Sequence, residues 1–222
     1  MESFSSVTGI VATLDRANVD TDQIIPKQFL KSIKRTGFGE NLFYDWRYLP
    51  NGDPNPDFEL NALKFQGASI LVTRNNFGCG SSREHAVWAI KQYGFKVIIA
   101  PWVERDGTRI PGFADIFRNN SVKNGVLTVE LSEPEVDEIF EMVDRFPGLE
   151  ATVNLEEQRI VLHLDEEISF HFEIEPSVKE HLQRGLDDIA LTLEHESDIS
   201  GFEESHDILQ FADVKKVLAA EK

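Results

Sequence analysis

Ser81, Ser82 and Arg83 directly follow the turn Phe77-Gly78-Cys79-Gly80. Two hydroxyls and a guanidinium at the start of a helix make an anion site by residue type. The unpaired N–H groups there, with their partial positive charge, attract a carboxylate or phosphate. Arg83 adds a fork that grips such a group through two parallel hydrogen bonds. A serine in that field donates a hydrogen bond or, with its alkoxide stabilised, acts as a base. The same residues also make an ordinary capped helix with a solvated Arg83, and the local sequence leaves both readings open. The pattern is not a P-loop, because no Gly-Lys-Ser/Thr follows, and it is not a Gly-x-Ser-x-Gly elbow.

The elements that must position these residues lie on either side. Ser69 to Thr73 is short, apolar and rich in β-branched residues, as a strand buried on both faces should be. Gly78 and Gly80 permit positive φ and close approach of another segment. Ser81 or Ser82 is the expected N-cap, which places Arg83 in the first helical turn. Ala86, Ile90 and Tyr93 recur at helical spacing and Gly94 stands where a terminating glycine belongs. Lys96 to Ala100 returns as a second apolar strand, so the stretch from Gly67 to Ala100 reads as a parallel crossover unit.

Across 222 residues, 22 Lys and Arg stand against 39 Asp and Glu, a formal net charge of −17. That balance argues against a nucleic-acid partner, which requires a basic footprint. A lone cysteine, Cys79, excludes an internal disulfide framework and points to a cytoplasmic or organellar-matrix protein. It also excludes a self-contained iron–sulfur cluster, which needs several thiolates. The six histidines show no zinc-type spacing, so any metal in the chemistry must come from outside this chain. No apolar run is long enough to span a membrane, and Met1 to Gly9 does not read as a signal peptide.

Elsewhere, Thr8 to Leu14 reads as an opening strand and Asp15 to Asp22 as a polar loop with three aspartates. Pro26 is placed to start a short helix within Gln23 to Ser32. Lys27, Lys31, Lys34 and Arg35 form the one basic cluster, either a solvated helix face or an attraction for acidic ligands. Gly39 to Tyr48 reads as helical, Leu49 to Phe58 as a loop, and Pro101 to Gly112 as a polar loop. Phe113 to Asn119 reads as a short helix and Gly125 to Leu131 as a strand. Ser132-x-x-Glu135 is a capping box opening a helix to about Arg145. Ala151 to Leu155, Arg159 to Leu164 and Ile168 to Ile174 alternate as an antiparallel meander should, with His163 and His171 as strand residues. A helix from Pro176 to Arg184 and a terminal helix from Ile208 to Ala220 complete an α/β chain.

Four motifs occur in order: Asn18-Val-Asp-Thr-Asp-Gln-Ile-Ile-Pro26, Asn76-Phe-Gly-Cys-Gly-Ser-Ser-Arg-Glu-His-Ala86, Phe113-Ala-Asp-Ile-Phe-Arg-Asn119 and Gly185-Leu-Asp-Asp-Ile-Ala-Leu-Thr-Leu193. Together they resemble the small-subunit family of 3-isopropylmalate dehydratases, in the aconitase superfamily, over about residues 5 to 205. The resemblance implies a swivelling β/β/α domain at 1–205, beyond which residues 206–222 read as a C-terminal helical extension. It implies a hydro-lyase active only with a separate large subunit that carries a [4Fe–4S] cluster. The reaction so implied converts 2-isopropylmalate to 3-isopropylmalate through isopropylmaleate, in leucine biosynthesis.

By the same resemblance Ser81 is the catalytic base, Arg83 binds a substrate carboxylate with Ser82 beside it, and Asp22 supports the acid–base machinery across the subunit interface. The small-molecule dicarboxylate and the large subunit are the implied partners. A relative acting on another malate-type acid, such as methylmalate or homoaconitate, and a non-catalytic anion-binding assembly module remain the alternatives. One departure stands out: Val103 to Gly112 intervenes where the family runs almost directly from the Ala100-Pro101 strand into the Phe-Ala-Asp-Ile-Phe helix. The insertion reads either as a surface elaboration or, because it follows a strand of the parallel unit, as a change to the partner interface or substrate pocket at the rim of the candidate site.

Overall fold

A computed structural model describes residues 2–31, 35–80, 83–185 and 188–205. The chain divides into two compact units, residues 1–185 and 186–222. The first is organised by a mixed sheet whose central strand, β1 (Ser6–Leu14), pairs in parallel on one side and antiparallel on the other. On the parallel side lie β2 (Ile70–Thr73), then β3 (Val97–Arg105), which also pairs in parallel with β5 (Leu127–Ser132). On the antiparallel side follow β6 (Glu150–Asn154), β7 (Arg159–Leu162) and β8 (Ile168–His171). Counting β4 (Thr108–Ile110), the described residues form an eight-stranded sheet.

The two halves differ as burial demands. All four residues of β2 are buried, and so are the first five of β3, because the parallel strands are covered on both faces. In β6 and β7 burial alternates, leaving one face of the meander wet. Between β2 and β3 runs helix α3 (Glu84–Tyr93), which buries Ala86, Val87, Ala89 and Ile90 and ends at Gly94 with φ +128°. Helix α5 (Glu133–Arg145) starts at the expected capping box, with Ser132 N donating to Glu135 Oε2 at 2.8 Å. It buries Val136, Ile139 and Val143 against the sheet. Helix α4 (Asp115–Lys123) precedes β5, and helix α6 (Pro176–Arg184) ends at Gly185 in the left-handed conformation.

Three stretches depart from the sequence reading. The polar loop expected over Pro101 to Gly112 is a β-hairpin: β3 continues to Arg105, and β4 returns from Thr108. Asp106 and Gly107 form its two-residue turn with φ +52° and +72°, the mirror-image turn whose twist suits a hairpin. The polar loop expected over Asp15 to Asp22 ends in an α-helical turn (α1, Thr21–Ile24), whereas Pro26 does precede a short helix as expected, the 3₁₀ turn Lys27–Lys31. The expected helix over Gly39 to Tyr48 is broken into a 3₁₀ turn, Gly39–Asn41, and α2 (Tyr44–Arg47) by left-handed Phe43. The ring of Phe43, fully buried against Trp46 and Phe58, selects that conformation over helix continuity.

In the second unit, α7 (Asp188–Leu193) and α8 (Glu196–Ser205) are described, and the helix expected over 208–220 lies outside the described residues. Among the described residues no helix is long and apolar enough to cross a membrane.

Candidate active site

Parallel strands place their C-terminal ends on one edge, and three connecting segments meet there. The first leaves β1 and carries Asn18 to Ile24. Residues 75–80 form the second, leaving β2, and the third returns from the hairpin through Pro111 and Gly112. Backbone hydrogen bonds knit them together. Gly78 N and Cys79 N both donate to Val19 O, at 2.8 and 3.2 Å, and Thr21 N donates to Cys79 O at 3.0 Å. From the other side Asn76 N donates to Pro111 O at 3.3 Å and Phe77 N to Gly112 O at 2.9 Å. The glycine turn is therefore clamped between two strand-like segments, one of them the return from the hairpin at Pro111 and Gly112.

The two glycines admit different neighbours. A Cβ on Gly80, whose φ is +84°, would sit 2.0 Å from Asp20 Oδ2. On Gly78, at φ +76°, it would sit 2.2 Å from the ring of buried Phe117. Asp20 is held in that close position because it caps α1. Its Oδ1 accepts from Asp22 N at 2.6 Å, while Gln23 Oε1 accepts from Asp20 N at 2.8 Å. Asp22 thereby projects from the first turn of α1 toward α3.

The Asp22 carboxylate takes two cations. Arg83 Nη1 donates to its Oδ1, and Lys27 Nζ lies 3.0 Å from its Oδ2. The Arg83 side chain is only 18% exposed, against 72% for Lys27, so the Arg83 contact is the better shielded of the two. Arg83 is itself the N-cap of α3, with extended φ −138° and ψ 126°. This corrects the expectation that Ser81 or Ser82 caps the helix and that Arg83 lies in its first turn. Glu84 occupies the first turn, where a negative charge suits the helix dipole, and Arg83 is neutralised by Asp22 instead.

Of the residues the sequence nominated, Asp22 and Arg83 are brought into contact, while Ser81 and Ser82 lie outside the described residues, between Gly80 and Arg83. In the basic cluster Lys27 joins the site, and Arg35 lies 5.6 Å over the Trp88 ring. Lys34 lies outside the described residues. Cys79 packs in the turn as a free thiol; its pKa is raised by burial and by the negative charge of Asp20. Sequence reasoning passed over Asp20, although Asp20-x-x-Gln23 has the spacing of a capping box. It also passed over the pairing of Asn18 with Asn76, for which no local signal exists.

The model of the Aconitase C-terminal domain family matches residues 1–134, and that of the C-terminal domain of the 3-isopropylmalate dehydratase small subunit matches residues 188–207. A curated 3-isopropylmalate dehydratase small subunit from Desulforapulum autotrophicum is 60% identical over 203 residues, covering 91% of this chain and 95% of that protein. Another, from Rhodopirellula baltica, is 55% identical over 206 residues, covering 92% and 99%. A crystal structure of 3-isopropylmalate dehydratase from Methanocaldococcus jannaschii superposes with a TM-score of 0.61 at 22% identity, covering 88% of this chain and 98% of that one. The mixed sheet is thus that of an aconitase-type swivel domain. Within that class the chain belongs to the family of 3-isopropylmalate dehydratase small subunits.

Proposed function

We propose that this chain works in the cytoplasm as the small subunit of a 3-isopropylmalate dehydratase. With its large subunit it interconverts 2-isopropylmalate and 3-isopropylmalate through isopropylmaleate, a step of leucine biosynthesis. The observation that carries the reading is the contact of Arg83 with Asp22 beside the glycine turn. An arginine fork held by one carboxylate is pre-aimed for another, and a substrate carboxylate exchanges for Asp22 at little reorganisation cost. Lys27 retains the displaced Asp22 charge, so the exchange leaves no carboxylate unpaired.

Ser81, two residues before Arg83, is the base of this reading, and Ser82, next to it in sequence, is assigned to substrate binding. Proton removal next to a carboxylate needs a site that tolerates negative charge, which a helix N-terminus and a guanidinium supply. The [4Fe–4S] cluster of this reading belongs to the large subunit. The donor set here does not fit one, because the chain has a single cysteine and a cluster needs several thiolates.

The test is hydration of isopropylmaleate, followed anaerobically by ultraviolet loss of the double bond. The chain is assayed alone and with a reconstituted large subunit. Turnover in the mixture only is the expected result. Turnover by the chain alone, or none in a complex shown to have formed with its cluster intact, overturns the proposal.

A further inference from the structure

Asn18 and Asn76 carry backbone angles that side chains seldom adopt, φ +57° and +58°, and they face one another across the two segments that build the site. Asn76 Nδ2 donates to Asn18 Oδ1 at 2.8 Å, and Asn18 N donates to Asn75 O at 3.0 Å. Two residues beyond Asn18 stands Asp20, the cap that aims Asp22; beyond Asn76 the chain runs through the glycine turn to Arg83. Asparagine tolerates the left-handed region better than most residues, yet a glycine would hold the same backbone without strain. Backbone geometry alone therefore does not call for asparagine at both positions, whereas the amide-to-amide bond does.

We infer that Asn18 and Asn76 are paired positioning residues, whose side-chain bond sets the spacing between the Asp22 segment and the Arg83 segment. This rests on the reading that Arg83 takes the substrate carboxylate. Neither asparagine touches the reacting atoms in this scheme. They act through the two segments they join, by fixing where the Arg83 fork meets its carboxylate. Misplacement of such a group by about 1 Å costs up to ~10²-fold in efficiency.

The test uses the assembled enzyme with its large subunit and isopropylmaleate as substrate. Asn18→Gly, Asn76→Gly and the double variant remove the amides while preserving the backbone angles, and Arg83→Lys serves as the reference. Each single variant is expected to raise KM by roughly tenfold. The double variant should be no worse than either single one, because the second loss removes a bond already broken. Melting temperatures should stay close to wild type.

A purely structural role gives the opposite split: apparent kcat and melting temperature fall together while KM is unchanged. That outcome overturns the inference, as do additive effects in the double variant. Unchanged KM in the asparagine variants, with KM raised in Arg83→Lys, removes the clamp alone and leaves the site reading intact. An unchanged KM in Arg83→Lys removes the carboxylate reading and the clamp's role with it.

Discussion

Gly78 and Gly80 both hold positive φ, yet their replacement by alanine should injure the protein in different ways. At Gly80 the new Cβ meets the movable carboxylate of Asp20, 2.0 Å away. Asp20 must swing aside, and α1 loses its cap, a change costing about 1 kcal/mol. The left-handed alanine adds roughly 1–2 kcal/mol. The sum, roughly 2–3 kcal/mol, lowers the melting temperature by roughly 4–12 °C for a chain of this size. At Gly78 the Cβ instead meets the Phe117 ring, packed against Phe77 and Phe113 with no room to retreat. Overpacking of about 1–3 kcal/mol then adds to the same backbone strain, for a total of roughly 2–5 kcal/mol. Calorimetry of the isolated chain should rank Gly78→Ala as the less stable. Isopropylmaleate hydration by the assembled enzyme should show Gly80→Ala losing activity per folded molecule, because Asp22 is aimed by Asp20. A Gly80→Ala protein with wild-type stability and wild-type kcat/KM would refute the claim that Asp20 is held against the turn.

Ser81→Ala in the assembled enzyme is expected to lower turnover by at least ~10²-fold, the scale for loss of a general base; near-normal turnover would reassign the base. Arg74 joins Asp15 at 2.5 Å and also Asp137, and lies 4.2 Å over the Phe140 ring. Burial alone would lower its pKa, but the hydrogen bonds and charges of the two aspartates raise it. Arg74→Met should destabilise by about 1–2 kcal/mol, with both aspartates more than half exposed and therefore screened; unchanged denaturation midpoints would show that the bridge contributes nothing. Cys79 should react with iodoacetamide at pH 8 more slowly than a free thiol, because burial and Asp20 hold it protonated. Since its folded pKa is raised, the associated stability is complete below the unfolded thiol pKa and is lost as pH rises through the folded value. Cys79→Ala should remove that alkaline component, visible as a flatter stability curve above about pH 9.

The crossover unit, the capped α5 and the meander were legible because each is written in local signals: burial runs, cap spacings and period-two alternation. The hairpin over Val103 to Ile110 was also written locally, in Asp106-Gly107, but its charged residues disguised the strands at this edge of the sheet. The cap of α3 was misread because serine preference favoured Ser81 or Ser82, whereas the extended backbone reaches Arg83, whose side chain is engaged by Asp22. That contact joins residues 61 apart in sequence, and spacing rules cannot see across such a distance. Local residue type nominated Arg83 and the family resemblance nominated Asp22, while their mutual neutralisation, and the part of Lys27 in it, emerge only from packing.

The central place of β1 also sets the order in which this protein can be made. Thr8 meets Thr152, 144 residues later, and Asp22 meets Arg83 only once the first crossover has closed. Loop closures of that length make a slow search, so the first strand to leave the ribosome waits for one of the last. The edge that carries Asp22 and Arg83 can begin to assemble on the parallel side, but the strand beneath it is secured only when β6 arrives. A newly made chain thus presents its finished site only after most of it has been synthesised, and a partner that binds this edge would select completed molecules over partial ones.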